Sequence, residues 1–225
     1  NLPGQAKVGA VTFRAPASAA AVVDAGNSLV GTLAGDQIGS GGVTLLTSLD
    51  YVVSSPLRAY DASRQEAGAA TWGSRFTGVS GAVSVSNSLL GSSYLDHVGA
   101  RVVALANGHY VVASPDWRSN TGTGAIAVGA ATWARFDGST TGHVSTTNSL
   151  FGGTQGDRVG ENVVPLTTGD YLVGSPHWSY NGLTASAGAV TWGDGLTGVM
   201  GKVLPGNSLV ADTADAQLGS ALYAL

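Results

Sequence analysis

The amino-acid sequence predicts an all-β fold built from tandem units of four short antiparallel strands, and three observations support this prediction. Three phrases recur in a constant order along the 225 residues. The runs between turns have strand length and are rich in valine, threonine and aromatic residues. None of these runs shows the 3.6-residue period of an amphipathic helix. Such regular recurrence is typical of a repeat architecture in which each unit is one supersecondary motif.

The period of the repeat is about 60 residues. The phrase "NSLLGSSYLDHVG" begins at residue 87 and has close copies that begin at residues 27, 148 and 207. The phrase "GAATW" follows the same spacing, with copies or near copies that begin at residues 9, 68, 129 and 188. These spacings divide a single repeat domain into a partial unit, three complete units and the start of another, namely 1–39, 40–99, 100–160, 161–219 and 220–225.

Each complete unit is predicted to contain four strands, which we name a to d. In the second complete unit these are "ARVVALA" (100–106), "HYVVASP" (109–115), "GAATWARF" (129–136) and "HVSTTNSL" (143–150). Between strands a and b, Asn107 and Gly108 predict a two-residue type I′ hairpin, because both central residues of that turn need a positive φ. Strand b is an apolar run, which predicts burial on both faces.

Four-stranded units in tandem predict β-propeller-like blades. Pro165 falls in a copy of strand a and Pro205 in a copy of strand d. Proline cannot donate a ladder hydrogen bond, so both residues are predicted to lie on sheet edges, where strands a and d of a blade would be. A β-solenoid is the alternative, since 60 residues could form three coils of about 20 residues.

Composition excludes several classes of function. The net charge is −4, lysine occurs only at Lys7 and Lys202, and no basic run exists that could neutralise nucleic-acid phosphates. No stretch approaches the roughly 20 apolar residues of a membrane-spanning helix, so membrane insertion is not expected. The chain has no cysteine and opens with "NLPGQ", from which we expect a processed piece or a fragment of a longer array.

The ordered motifs resemble the FG-GAP repeats of integrin-α-like β-propellers. The resemblance covers nearly the whole chain, and its first set of matching positions is Asp36, Gly39, Ser54–Pro56 and Gly68–Trp72. The later units match at Asp96, Gly99, Ser114, Pro115, Gly129–Trp133, Asp157, Gly160, Gly174–Pro176 and Gly188–Trp192. The repeat motifs are also similar to those of repeat arrays in large filamentous-haemagglutinin-like bacterial surface proteins.

The resemblance implies an extracellular or bacterial cell-surface location and binding of partners on the face that carries the b–c and d–a connections. FG-GAP repeats often hold calcium between their first two strands. Here that place reads "LTSLDY", "LANGHY" and "LTTGDY", which lacks the several oxygen ligands that calcium requires. We therefore expect no metal and no cofactor.

Candidate binding residues lie in the b–c connections, residues 57–67, 116–128 and 177–187. The amino-acid sequences of these connections differ between units, whereas their flanks hardly change. Specificity on a repeated scaffold is usually placed in such loops. The candidates are residue types enriched at interaction hot spots: Arg58, Tyr60, Asp61, Trp117, Arg118, Trp178 and Tyr180. The alternative is a solvated loop in which Trp117 and Trp178 fold back onto the sheet.

Other recurring polar and aromatic residues are interpreted as structural. Asp36, Asp96 and Asp157 share one repeat position and are predicted to accept hydrogen bonds from turn amides, with a ring of acids or ligands as the alternative. Tryptophans at one strand position, with Phe13 as their counterpart, are predicted to pack between units rather than to stack on sugars: Trp72, Trp133 and Trp192. The four histidines occupy four different repeat positions without zinc-site spacing and are interpreted as surface or turn residues.

From these patterns we expect a non-enzymatic structural or adhesive repeat scaffold of a bacterial cell-surface or secreted protein. The alternative is a lectin-like carbohydrate-binding propeller that uses the b–c connections. The partner would be a protein or a glycan. A chain with strands a, c and d but no strand b in its split unit would leave backbone groups unpaired. We therefore also expect self-association or continuation in a longer array.

Overall fold

A computed structural model describes residues 6–14, 22–119 and 124–224. These residues form 19 strands and no helix. Parts of the predicted partial unit (1–5 and 15–21), four residues of the second b–c connection (120–123) and Leu225 lie outside the described residues. In chain order the strands are β1 Ala10–Val11, β2 Leu29–Val30, β3 Gly42–Leu45, β4 Tyr51–Ser54, β5 Ala69–Gly73, β6 Gly81–Ala82, β7 Ser88–Leu90, β8 Arg101–Ala104, β9 Tyr110–Ser114, β10 Arg118–Ser119, β11 Ile126–Ala127, β12 Ala130–Ala134, β13 Gly142–His143, β14 Leu150–Phe151, β15 Asn162–Pro165, β16 Tyr171–Ser175, β17 Ala189–Gly193, β18 Gly201–Lys202 and β19 Leu209–Val210.

The strands form four stacked sheets and one small hairpin, and no sheet closes on itself within the described ranges. Two sheets have five strands, in the orders β13-β7-β5-β4-β3 and β18-β14-β12-β9-β8. The first sheet is β1-β2-β6, the last is β15-β16-β17-β19, and β10 pairs with β11. Within a unit, strands a, b, c and d pair antiparallel, unlike the parallel coils of a solenoid. The all-β prediction is confirmed.

The run predicted as one strand d is two strands in two different sheets. In the second complete unit, β14 pairs with strand c of its own unit, whereas β13 pairs parallel with β7 of the preceding unit. Asn148 closes the turn between them: its Oδ1 accepts from the Ser145 N–H at 2.9 Å and its Nδ2 donates to the His143 carbonyl at 2.9 Å. The prediction of a single strand was therefore wrong, and each unit completes the sheet before it.

The a–b hairpin is present, but its turn differs from the prediction. Asn107 keeps a negative φ and only Gly108 is left-handed, with φ 94°. The Gly108 N–H donates to the Leu105 carbonyl at 3.2 Å, and the Leu105 N–H donates to His109. This is a three-residue loop that ends in a left-handed residue. Asn107 instead donates its Nδ2 to the Gly195 carbonyl of the next unit at 2.7 Å.

The two prolines differ in their positions. Pro165 ends β15, which is the edge strand of the last sheet, as predicted. Pro205 lies in the turn between β18 and β19 rather than in a strand. The prediction for Pro205 was wrong because that stretch of the presumed strand d is the turn that separates the two halves. Residues 220–224, predicted to begin a further strand a, contain no strand.

Three hydrophobic cores lie between successive sheets of the described residues, and the strands b of the first two complete units, β4 and β9, each contribute to two of them. In β9, Val111 and Val112 are both fully buried but belong to different cores, because successive residues of a strand face opposite sides. Two of the recurrent tryptophans, Trp72 and Trp133, pack between units as predicted, but the prediction was wrong for Trp192, which is 53% exposed because no further unit covers it among the described residues. A Cβ built on Gly138 would lie 2.6 Å from the ring of Trp72, so the ring covers a glycine of the next unit.

Candidate functional site

The b–c connections and the d–a turns lie on one face of the array, which we call the loop face. A buried aspartate joins them at each junction between units. Asp96 Oδ2 accepts from the N–H groups of Ser92 and Ser93 at 2.9 and 2.7 Å, and its Oδ1 accepts from the Arg118 N–H of the next unit at 2.9 Å. The carboxylate thus holds a turn and the following unit's loop together.

The same arrangement occurs at all three junctions. Asp36 and Asp157 repeat the three contacts, with Ala59 and Ser179 as the donors from the following unit. All three aspartates are fully buried. Burial raises the pKa of Asp96 and Asp157 despite the backbone donors that favour the charged form. These residues serve the turns, as predicted, and their oxygens are already occupied by amides.

Two of the predicted binding residues, Trp117 and Trp178, lie in the core beneath the loops. Each is only 3% exposed. The Trp117 ring meets Phe151 edge-on at 6.4 Å, and the Trp178 ring meets Tyr180 edge-on at 6.1 Å. Both indoles fold back onto the sheets, and an indole that is 97% covered offers almost no surface to a ligand.

The candidates of the first b–c connection form a local cluster. Arg58 is buried, which lowers its pKa, and its Nη1 has no hydrogen-bond partner among the residues described. Tyr60 is half-buried beneath the guanidinium of Arg64, which lies 3.8 Å from the ring centroid. Hydrogen bonds from Arg64 hold the pKa of Asp61 well below its usual range. Tyr60 and the Arg64–Asp61 pair are the partly exposed elements of this loop.

Arg118 and Tyr180 form hydrogen bonds with backbone carbonyls of nearby turns and loops. The Arg118 Nε donates to the Tyr94 carbonyl at 2.9 Å. The Tyr180 N–H donates to the Thr184 carbonyl at 3.0 Å and so closes a tight loop. The seven candidates therefore do not converge on one pocket, and binding through these loops stays a prediction.

A ladder of alternating charges crosses the loop face, and sequence reasoning missed it. It consists of Glu66, His97, Asp116, Arg158, Glu161 and His177, with successive contacts of 2.9, 3.0, 2.7, 3.2 and 3.5 Å. His97 and Arg158 share one repeat position, and Asp116 and His177 share another, but the residue type changes from unit to unit, which is why the repeat pattern hides the ladder. One signal was available: Glu66 and Glu161 are the chain's only glutamates, and both belong to the ladder.

His97 contacts two carboxylates of this charge ladder, one at each ring nitrogen. Its Nε2 contacts Glu66 and its Nδ1 contacts Asp116. Partial burial acts to lower the pKa of His97, but the two carboxylates outweigh it and the pKa is raised above its ordinary value. Because both ring nitrogens are engaged, neither is free to exchange a proton with a substrate. The arrangement suits ion pairing across a junction rather than acid–base catalysis.

We predict that replacing His97 with glutamine destabilises the protein more at about pH 5.5 than at about pH 8.5. A raised pKa in the folded state contributes stability that is complete below the unfolded value of about 6.5 and is lost as the pH rises through the folded value. Glutamine occupies the equivalent positions 37 and 217 at similar φ, 44° and 50°, so the backbone should tolerate it. Urea unfolding at both pH values measures the effect.

His109 provides the control of opposite sign. Burial lowers the pKa of His109, and its Nδ1 accepts the Phe136 N–H at 3.2 Å, which requires the unprotonated nitrogen. Its contribution is present above the unfolded pKa and is lost as the pH falls. His109→Gln should therefore cost more at high pH than at low pH. Equal costs for His97→Gln at the two pH values would contradict the assigned ion pairs.

A cleft of about 350 Å³ lies at the junction between the last two complete units. Its walls are the turn at 153–157, the loop at 178–182 and the segment 202–205. The stem of Lys202 crosses Gly153, where a Cβ would lie 1.8 Å from the lysine Cε. Serine and threonine occupy the equivalents of Gly153 at Ser92 and Thr32, so this junction alone of the three has a glycine that admits the lysine.

The described residues contain no group of three or more histidine, aspartate and glutamate side chains placed to hold a metal ion. They also contain no helix that could cross a membrane. The loop face offers ion pairs, buried carboxylates and a polar cleft.

The comparisons identify the repeat. A family described as a repeat of unknown function (DUF5650) matches residues 3–40, 45–100, 104–161 and 165–220. None of the curated proteins matches the chain. Four tandem matches, a first of 38 residues and three of 56 to 58, agree with the repeated sheets of the structure.

Proposed function

The chain belongs to the family of DUF5650 repeats, and from this premise we propose that it is a non-enzymatic structural scaffold. The observation that carries the proposal is the construction of the junctions. Each of the three junctions repeats a shared strand and a buried aspartate. The repeated residues therefore join units to one another, as expected of an array whose stability resides in nearest-neighbour contacts.

The shared strand joins the backbones of neighbouring units directly. In each junction a two-residue strand of one unit pairs in parallel with strand d of the unit before it, as β13 does with β7. Pulling two units apart would break these backbone hydrogen bonds and expose apolar side chains such as Val144, which is 3% exposed. A chain joined in this way resists separation of its units, which suits a scaffold under mechanical tension.

We place this scaffold on a bacterial cell surface or in a secreted protein, where it would serve as a structural or adhesive element. The resemblance of its motifs to FG-GAP repeats and to surface-protein arrays supports that location. Adhesion would use the loop face, whose exposed loops differ between units. A propeller-like arrangement is part of the proposal and is supported by the inner-edge strands, since β8 lies beside both β3 and β15.

Force spectroscopy on the chain tethered at its two ends tests the scaffold function. We expect separate unfolding events, each releasing about 200 Å, because about 60 extended residues span about 3.3 to 3.6 Å each. A chain that extends smoothly without such events would contradict a scaffold that resists mechanical tension. Turnover on a broad panel of hydrolase substrates would contradict the non-enzymatic assignment.

A lectin-like module is the second candidate, and the cleft beside Lys202 favours it. Lys202 and Asn181 bring hydrogen-bond donors to the cleft, and the edge of Trp178 forms part of its wall. A glycan array tests this function. Binding that is lost in Lys202→Ala and kept in Lys7→Ala, the only other lysine, would support a sugar site; absence of any bound glycan would remove it.

A further inference from the structure

The outer edge of each of the first three sheets is covered by a strand from the next unit. The covering strands are β6 on β2, β13 on β7 and β18 on β14, all in parallel register. Each begins with a left-handed glycine and is followed by a valine: Val83, Val144 and Val203. These valines are at most 4% exposed, and each donates its N–H to the covered strand, as Val203 does to Phe151 at 3.0 Å.

The outer edge of the last sheet carries no such strand among the described residues. Its edge strand, β19, pairs only with β17. Leu209 of β19 is 68% exposed, whereas its equivalents in the covered strands are at most 2% exposed: Leu29, Leu89 and Leu150. Trp192, next to this edge, is 53% exposed, although its equivalents Trp72 and Trp133 pack on glycines of the next unit.

The first unit has an exposed segment that corresponds to the covering strands of the later units. Val23 is the equivalent of the three buried valines and is 47% exposed, and Val22 is 84% exposed. The turn beside them has the same geometry as in the other units. Asn27 Nδ2 donates to the Val22 carbonyl at 2.7 Å, and Asn27 Oδ1 accepts from the Asp24 N–H at 3.2 Å. The segment is therefore already shaped as a covering strand.

We propose that the uncovered edge of β19 binds the segment Val22–Asp24 of a second copy of this chain. The three internal junctions define the contact: parallel pairing, with the Val23 N–H donating to the Val210 carbonyl and the Val23 side chain covering Leu209. The donor segment belongs to the first unit and the acceptor to the last sheet, two different surfaces of one molecule, so the contact is heterologous and adds copies head to tail.

Apolar contact favours this occupant over a polar ligand. The exposed groups on both halves are aliphatic or aromatic, and the edge offers unpaired backbone groups, which together form a template for strand addition. Within the chain the same pair of surfaces is buried three times. The inference rests on the proposed scaffold function and gives it an assembly mechanism.

Sedimentation of the wild-type chain over a range of concentrations tests the proposal, with one variant for each half. Val23→Asp disables the donor and Leu209→Asp disables the acceptor. Both positions are exposed in the single chain, so each variant should fold. We expect the wild type to associate and each variant alone to have a dissociation constant at least about tenfold higher, as is typical for loss of a central contact.

Mixing the two variants gives the sharpest result. Val23→Asp retains the acceptor edge and Leu209→Asp retains the donor segment. The mixture should therefore form a one-to-one complex that adds no further copies. Leu196→Asp, at a side chain with the same 68% exposure away from the edge, should associate like the wild type.

Three outcomes would overturn the inference: a wild type that stays monomeric, variants that associate normally, or a mixture that forms no complex. A peptide of residues 199–211 that binds a non-associating wild type would show that the edge takes a strand from another repeat, and would also refute the second copy as occupant. Unfolding events under force with no association would refute this inference alone and leave the scaffold function standing.

Discussion

Asp96→Ala is expected to lower the free energy of unfolding by about 3 to 5 kcal/mol. The substitution leaves the N–H groups of Ser92, Ser93 and Arg118 without their acceptor in a fully buried place, and each unsatisfied buried donor costs about 1 to 3 kcal/mol. Removal of a buried carboxyl whose pKa is raised by burial returns part of this cost. Urea unfolding of the whole chain measures the change.

The loss should fall on one junction. Because the stability of repeat arrays is close to a sum of unit and nearest-neighbour terms, weakening the junction between units 40–99 and 100–160 should broaden or split the transition. Asp96→Asn should cost less than alanine, since one amide oxygen still accepts. Asp212→Ala, at an exposed residue, should stay within about 0.5 kcal/mol of the wild type. A cost below about 1 kcal/mol for Asp96→Ala would contradict the role assigned to the carboxylate.

Much of this fold was predictable because the repeat marks the positions that the backbone needs. The shared position of Asp96 and its equivalents indicated a turn function, and the structure shows three amides on each carboxylate. The strand b pattern indicated burial on both faces, and Val111 and Val112 face different cores. In both cases neighbouring residues along the chain determine the outcome.

The sharing of strands between units was not predictable in the same way. Gly142–His143 is only two residues long, too short to show an alternating pattern, and its partner β7 lies more than 50 residues earlier. The strand a to b turn was misassigned for a related reason. Asn107 makes its decisive contact with Gly195 of another unit, which no local rule includes.

The candidate site was the least predictable part. Residue type suggested Trp117 and Trp178 as binding anchors, but type does not determine exposure, and both rings are in the core. The charge ladder joins Glu66, His97 and Asp116 across a junction. Because the residue types at these repeat positions change from unit to unit, only the distances in space reveal the ladder.

Gly129→Ala is the second substitution expected to have a large effect, a loss of about 2 to 5 kcal/mol. Gly129 has φ 75°, which costs an L-residue about 1 to 2 kcal/mol. A Cβ there would also lie 2.3 Å from the Val159 backbone nitrogen and 2.5 Å from its carbonyl oxygen. Backbone cannot yield as a side chain does, so overpacking adds about 1 to 3 kcal/mol. Urea unfolding again measures the loss.

Gly142→Ala separates the two causes. Gly142 has φ 95°, but a Cβ there would meet no atom within 4 Å. It should therefore cost only the conformational part, about 1 to 2 kcal/mol. The difference between the two variants measures the close approach of strand c to the d–a turn, the bridge that Gly129 and Val159 form. Equal losses would mean that φ alone selects glycine at this repeat position. A larger loss at Gly129 would mean that glycine is required there because the backbone of strand c lies too close to the backbone of the d–a turn at Val159 to admit a Cβ.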